Sequence, residues 1–126
     1  MAIFLFTDKI LNQKTIEVFN DGDMRRDFTY IDDIISGIRS AIKRNYNCEI
    51  FNIGNSKSEN LMDMISIIEE ELDKKAIINF KPMQKGDIIE NHSDIDKSRR
   101  MLNYNPLVSI NKGIPLFVNW FKEYYR

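Results

Sequence analysis

The sequence predicts a small mixed domain, α/β or α+β, with about four helices, a hairpin and a short parallel strand pair. Three observations lead there. Apolar residues recur at spacings of three and four in several separate windows, as they do on helices with one buried face. Between those windows lie short runs rich in β-branched and aromatic residues, the composition of half-buried strands. From Glu49 to Phe80 the order is strand, helix, strand, which favours neighbouring parallel strands joined by a crossover. At 126 residues and 43% hydrophobic, the chain is long enough for one domain with a single core.

In chain order, Ile3, Phe4, Phe6, Ile10 and Leu11 set a helix from Ala2 to about Asn12. Thr15 to Phe19 is a β-rich run, and Asn20 to Asp23 is a turn in which Gly22 can take positive φ. Met24 to Ile31 returns as the partner strand, a hairpin that would bring Glu17 to Phe19 close to Arg26. Asp32 or Asp33 is placed to cap the next helix, which runs to Arg44. Its apolar face is Ile34, Ile35, Ile38, Ala41 and Ile42, and Arg39, Lys43 and Arg44 favour its C-terminal end.

Glu49 to Ile53 reads as a short strand, and Ser58 as the cap of a helix over 59–72. That helix buries Leu61, Ile65, Ile68 and Leu72, leaving Glu69, Glu70, Glu71 and Asp73 solvated. Ala76 to Phe80 is the next strand, followed by an exposed loop from Pro82 to Asp87 and an extended stretch through Glu90 and His92. Asp94 or Asp96 caps a short helix over Lys97 to Leu102, which Asn103 to Pro106 ends. Ser109 caps the last helix, where Ile114, Phe117, Val118, Phe121 and Tyr125 line up as core, with Trp120 alongside. Pro115 forfeits one backbone bond there, so a late start or a kink is expected.

A net charge of −1, from 18 basic and 19 acidic residues, gives no bulk electrostatic reason to bind nucleic acid or an anionic membrane. Any anion site must be local. Cys48 is the sole cysteine and His92 the sole histidine, which excludes an internal disulfide and leaves too few ligands for a usual zinc site. Cys48 reads as a small core residue in a reducing, cytoplasmic setting. The apolar start acquires Asp8 and Lys9 at once, unlike a signal peptide, and no run approaches membrane-spanning length. The glycines, Gly22, Gly37, Gly54, Gly86 and Gly113, are too far apart for a phosphate-binding Gly-x-Gly-x-x-Gly loop.

Function shows in one stretch, Met24-Arg25-Arg26-Asp27-Phe28-Thr29-Tyr30-Ile31-Asp32-Asp33-Ile34. It places two guanidinium groups beside a strand–helix junction, and a planar guanidinium can hold phosphate or carboxylate through two parallel hydrogen bonds. Read without further context, Arg26 is equally an ion-pair partner of Asp27 or Asp33, Arg25 is solvated, and Gly86-Asp87 is a turn. His92 has no cysteine or carboxylate at a diagnostic spacing, and Asp94 and Asp96 are explained by capping.

The segment Arg-Asp-Phe-Thr-Tyr-Ile-Asp-Asp-Ile resembles one in the extended short-chain dehydrogenases that epimerise or dehydrate nucleotide sugars, and is most similar to the UDP-glucuronate 4-epimerases. Met1 to Thr7, Phe51 to Ser56 and Pro82 to Asp87 resemble further segments of that family in the same order. There they lie after the dinucleotide-binding half. The resemblance implies that residues 1–126 form a single substrate-binding domain of a longer enzyme, the Rossmann half being absent through truncation or a disrupted reading frame. No tyrosine has a lysine four positions on, so the family's Tyr-x-x-x-Lys proton-transfer pair is missing too.

By the same resemblance the intact enzyme uses NAD, none being bound by this chain, which has no catalytic residue of its own. Arg26 would contact the diphosphate, Asp87 and Gln84 the nucleotide, and Glu17 and Phe19 the base. The implied partners are a UDP-sugar and the N-terminal half, with a homodimer among the arrangements allowed and no nucleic acid or membrane. Two rivals stand beside this reading: a nucleotide-sugar dehydratase or decarboxylase, and a non-catalytic interaction module derived from such an enzyme.

Overall fold

The structure is a computed structural model that describes residues 2–125. Met1, the first residue of one quoted motif, lies outside them. Among the described residues there are five α-helices, one for each helical window read along the chain: α1 (Ala2–Leu11), α2 (Ile31–Arg44), α3 (Leu61–Leu72), α4 (Asp96–Leu102) and α5 (Ile110–Tyr124). Four short strands accompany them, β1 (Thr15–Phe19), β2 (Arg25–Arg26), β3 (Glu59–Asn60) and β4 (Ile77–Lys81).

The expected hairpin does not form. After the turn at Asn20–Gly22, where Gly22 takes φ +86°, the chain turns away, and only Arg25 and Arg26 are strand, antiparallel to β3. β1 instead pairs in parallel with β4, Thr15 opposite Ile77 through Phe19 opposite Lys81. A parallel pair therefore exists, with β1 in the place that Glu49 to Ile53 was expected to fill. Residues 49–53 carry no strand pairing among the described residues.

Packing explains the choice. Ile16 and Val18 of β1 point into a core with Ile10 of α1, Met64, Ile65 and Ile68 of α3, and Ile114 and Val118 of α5, all almost fully buried. At about 25 cal/mol per Å² of apolar surface, burying two β-branched side chains outweighs a local turn preference. Lysines close two helix ends against this core: Lys74 Nζ donates to Leu11 O and Lys122 Nζ to Glu71 O, each at 2.6 Å.

A second, smaller core holds Ile95, Leu102 and Tyr104, with Ala41 of α2 and Phe51 and Ile53 packed against it. Cys48 is exposed, contrary to the expected core position. The expected face of α2 is also largely uncovered: Ile35 and Ile38 are each 45% exposed and Ile42 73%.

The helix caps differ from the sequence reading. Tyr30, Ile95 and Ser109 precede α2, α4 and α5 without a side-chain capping bond, and Asn60, not Ser58, caps α3 by accepting from Met62 N at 2.7 Å. Asp94 does accept from Asp96 N, at 3.0 Å, just ahead of α4. Pro115 lies in the second turn of α5, which nevertheless starts at Ile110. Along α5, Phe121 and Val118 are buried, whereas Trp120, Tyr124 and Tyr125 are exposed.

Candidate functional site

A cleft of about 370 Å³ opens between α1, β1 and the β2 segment. From α1 it takes Ala2, Leu5, Phe6 and Lys9, which stand at i, i+3, i+4 and i+7 and so share one helix face. A three-residue turn joins α1 to β1, and Lys14 N donates to Lys9 O at 2.7 Å. The two elements therefore run in opposite directions. Glu17 and Phe19, two apart on β1, point to the cleft, while Ile16 and Val18, which alternate with them, point to the core. Met24, Phe28 and Leu61 complete the apolar lining, and Arg26 and Asp87 bring charge to it.

Arg26 is held hard. Its Nη1 donates to the carbonyls of Arg25 (2.8 Å) and Ile89 (3.1 Å), and its Nη2 donates to Asp87 Oδ1 at 2.8 Å. A guanidinium carries five N–H donors, of which these bonds use three, so Nε–H and one Nη2–H remain for a ligand. Asp87 Oδ1 also accepts from Ile88 N at 2.8 Å, which fixes the carboxylate in turn. The pair is about three-quarters buried on the arginine side, so its orientation is set before any ligand arrives.

Arg25 is paired with Glu90 at 3.6 Å and its Nη2 donates to Ser58 O, so it is engaged on the surface and does not line the cleft. Glu17 has Lys81 at 4.0 Å, an exposed pair that contributes little. Gln84 is not part of the lining; it is exposed, and its backbone carbonyl accepts from Asp87 N at 3.2 Å. Of the five residues picked out from sequence, four thus meet in the cleft and Gln84 supports it from outside. Lys9, Leu5 and Phe6 were missed, although their helical spacing beside Glu17 and Phe19 was visible.

The two aspartates of the motif do other work. Asp27 accepts from the backbone N–H groups of Asn55 (2.9 Å), Ser56 (3.0 Å) and Ser93 (2.9 Å). Asp33, expected as a cap of its own helix, is buried and accepts from Leu107 N and Val108 N, both at 3.0 Å. Between them Tyr104 donates to Gly54 O at 2.8 Å, and burial, with the charges of Asp33 and Asp27 added, pushes its hydroxyl up to about 12. His92 is exposed, and among the described residues no group of three or more His, Cys, Asp or Glu could hold a metal ion.

Residues 1–54, which contain α1, β1, β2 and Arg26, match the NAD dependent epimerase/dehydratase family. A UDP-glucuronate 4-epimerase of Thermodesulfobacterium geofontis is 39% identical over 124 residues, 98% of this chain and 38% of its own length. An uncharacterized protein of Methanocaldococcus jannaschii is 50% identical over 123 residues, again 98% of this chain and 38% of its own. The Bacillus cereus UDP-glucuronic acid 4-epimerase, solved with UDP-glucuronic acid and NAD, superposes with a TM-score of 0.89 at 34% identity, over 98% of this chain and 40% of that one. The chain is similar over nearly all of its length to members of the NAD-dependent epimerase/dehydratase family. It spans about two-fifths of the length of the relatives and structures it matches. Asp87 lies beyond the matched residues 1–54 yet pairs with Arg26 inside them, so the cleft is assembled across that boundary.

Proposed function

We propose that the cleft holds the nucleotide end of a UDP-sugar for a 4-epimerase of the UDP-glucuronate type. The single observation that carries this is Arg26, pinned by three protein acceptors with two N–H donors left over beside an apolar cleft. A pre-oriented guanidinium in partly excluded solvent binds a phosphate oxygen without paying to order itself. Phe19 and the β1 backbone would flank the base, Glu17 its polar edge, and Asp87 would act through Arg26. Gln84 would contribute only by shaping the loop that carries Asp87.

The charges lining the cleft are two positive, Lys9 and Arg26, and two negative, Glu17 and Asp87. A diphosphate needs more positive potential than that balance supplies. The remainder would come from the dinucleotide-binding half of the same enzyme. NAD has no fitting place in this chain, because the five glycines cannot form the loop that cradles a pyrophosphate. Residues 1–126 then serve as one substrate-binding domain, inactive alone, in a cytoplasmic enzyme. Ile35, Ile38, Ile42 and the unpaired 49–53 segment, with Ile50 84% exposed, are the surface such a half would cover.

Calorimetric titration with UDP tests the grip. Arg26→Ala is expected to weaken binding about tenfold or more, the loss of a charge-assisted bidentate contact. Unchanged affinity in a folded variant would sink the diphosphate assignment.

A further inference from the structure

We propose that Asp27 is a positioning residue for Arg26, acting as the clamp that fixes the guanidinium in the cleft. The proposal rests on the reading of Arg26 as the diphosphate ligand. Two of the three acceptors that orient Arg26 lie on residues 87–89, Asp87 Oδ1 and Ile89 O; the third is the carbonyl of Arg25. Asp87 lies in an exposed loop, and next to it Gly86 takes φ +85° with open space around it. The Ile88 N contact fixes the carboxylate relative to the loop, but the loop itself needs an anchor to hold it against Arg26.

What holds the segment is a short zipper to the β2 stretch. Arg25 N donates to Ile89 O at 2.8 Å, and Asn91 N returns to Arg25 O at 3.3 Å. Asp27 N donates to Asn91 Oδ1 at 3.3 Å. The zipper ends on the Asp27 carboxylate, which accepts from Ser93 N at 2.9 Å and, from a second loop, Asn55 N and Ser56 N at 2.9 and 3.0 Å. Three charge-assisted bonds to main-chain donors anchor both loops to the residue next to Arg26. The fit is close: a Cβ on Gly54 would collide with Ser93 and stand 2.9 Å from Asp27 Oδ2.

A neutral amide at position 27 keeps the shape, yet one of its two ends becomes a donor aimed at N–H groups that need an acceptor. The far end of the 87–93 segment is then released, and Arg26 loses two of its three fixed partners, keeping only the Arg25 carbonyl. Asp27 reaches no cleft surface itself, so its effect on a ligand must pass through Arg26.

The test is a double-mutant cycle on the full chain, titrated with UDP and with uridine, with folding checked by circular dichroism. Asp27→Asn is expected to weaken UDP about tenfold while changing uridine less than about twofold, and to cost nothing further in an Arg26→Ala background. A structural role alone would weaken both ligands alike and would add to Arg26→Ala; either result overturns the proposal. Should Asp27→Asn fail to fold, the milder Asn91→Ala removes one exposed zipper bond. It is expected to weaken UDP about threefold with uridine unchanged, and no change in UDP would overturn the clamp. Absence of UDP binding in the wild type overturns the underlying reading of Arg26 as well, whereas UDP binding weakened by Arg26→Ala but indifferent to Asp27→Asn and Asn91→Ala overturns the clamp alone.

Discussion

Arg26 drew notice as part of a basic pair beside a strand–helix junction, but its role, like those of Glu17, Phe19 and Asp87, was read from the family resemblance; the structure places these four in one cleft. Asp33 was not legible as what it is. An acidic residue in the first turn of a helix reads as a cap, and nothing nearby announces that its oxygens go to Leu107 N and Val108 N, 74 and 75 positions on. Tyr104, between the two motif aspartates, carries a measurable consequence. Its folded state keeps the phenolic proton up to about 12, while an unfolded chain releases it near 10. The stability it contributes is therefore intact below pH 10 and is lost as pH rises towards 12. Tyr104→Phe is expected to cost about 1–2 kcal/mol at neutral pH by orphaning Gly54 O, and to flatten the alkaline decline. Urea titrations at pH 7 and pH 11 check both; a variant that declines as steeply as the wild type would contradict the assignment.

At the level of elements, helices were read well and strand partners badly, for one physical reason. Helical periodicity is written within a dozen residues, whereas β1 meets β4 across some sixty positions, in a pairing decided by which faces bury Ile16 and Val18. The Asn20–Asp23 turn signal was real and its expected geometry appeared, yet it directs the chain towards β3 and not back along β1. Two glycines measure the difference between a packed turn and a free one. Gly22 (φ +86°) has Met62 Sδ 2.7 Å from where a Cβ would stand, and Gly86 (φ +85°) has open space. Gly22→Ala is expected to cost about 1 kcal/mol more than Gly86→Ala in chemical denaturation, because strain is common to both and only the first must displace a side chain. Equal losses would contradict the packing described for that turn.

The molecule as a whole has two cores of unequal completeness. The first closes on itself through α1, α3, α5 and the β1–β4 pair, while the second leaves the α2 stripe and the 49–53 segment bare. The sequence showed α2 to be amphipathic but could not show that its apolar face lacks cover, since that depends on how segments distant along the chain pack. An uncovered stripe of isoleucines drives self-association. Ile42→Glu, at a position 73% exposed, is expected to shift the chain towards monomer in sedimentation velocity with its unfolding midpoint unchanged, and an unaltered distribution would exclude α2 as the contact. The central claim, that a UDP-sugar is gripped between α1, β1 and Arg26, is tested most directly by mapping amide and arginine side-chain NMR shifts as UDP is added. The predicted result is saturable shifts at Leu5, Lys9, Phe19, Arg26 and Asp87; shifts confined to other surfaces, or none at millimolar UDP, would contradict it.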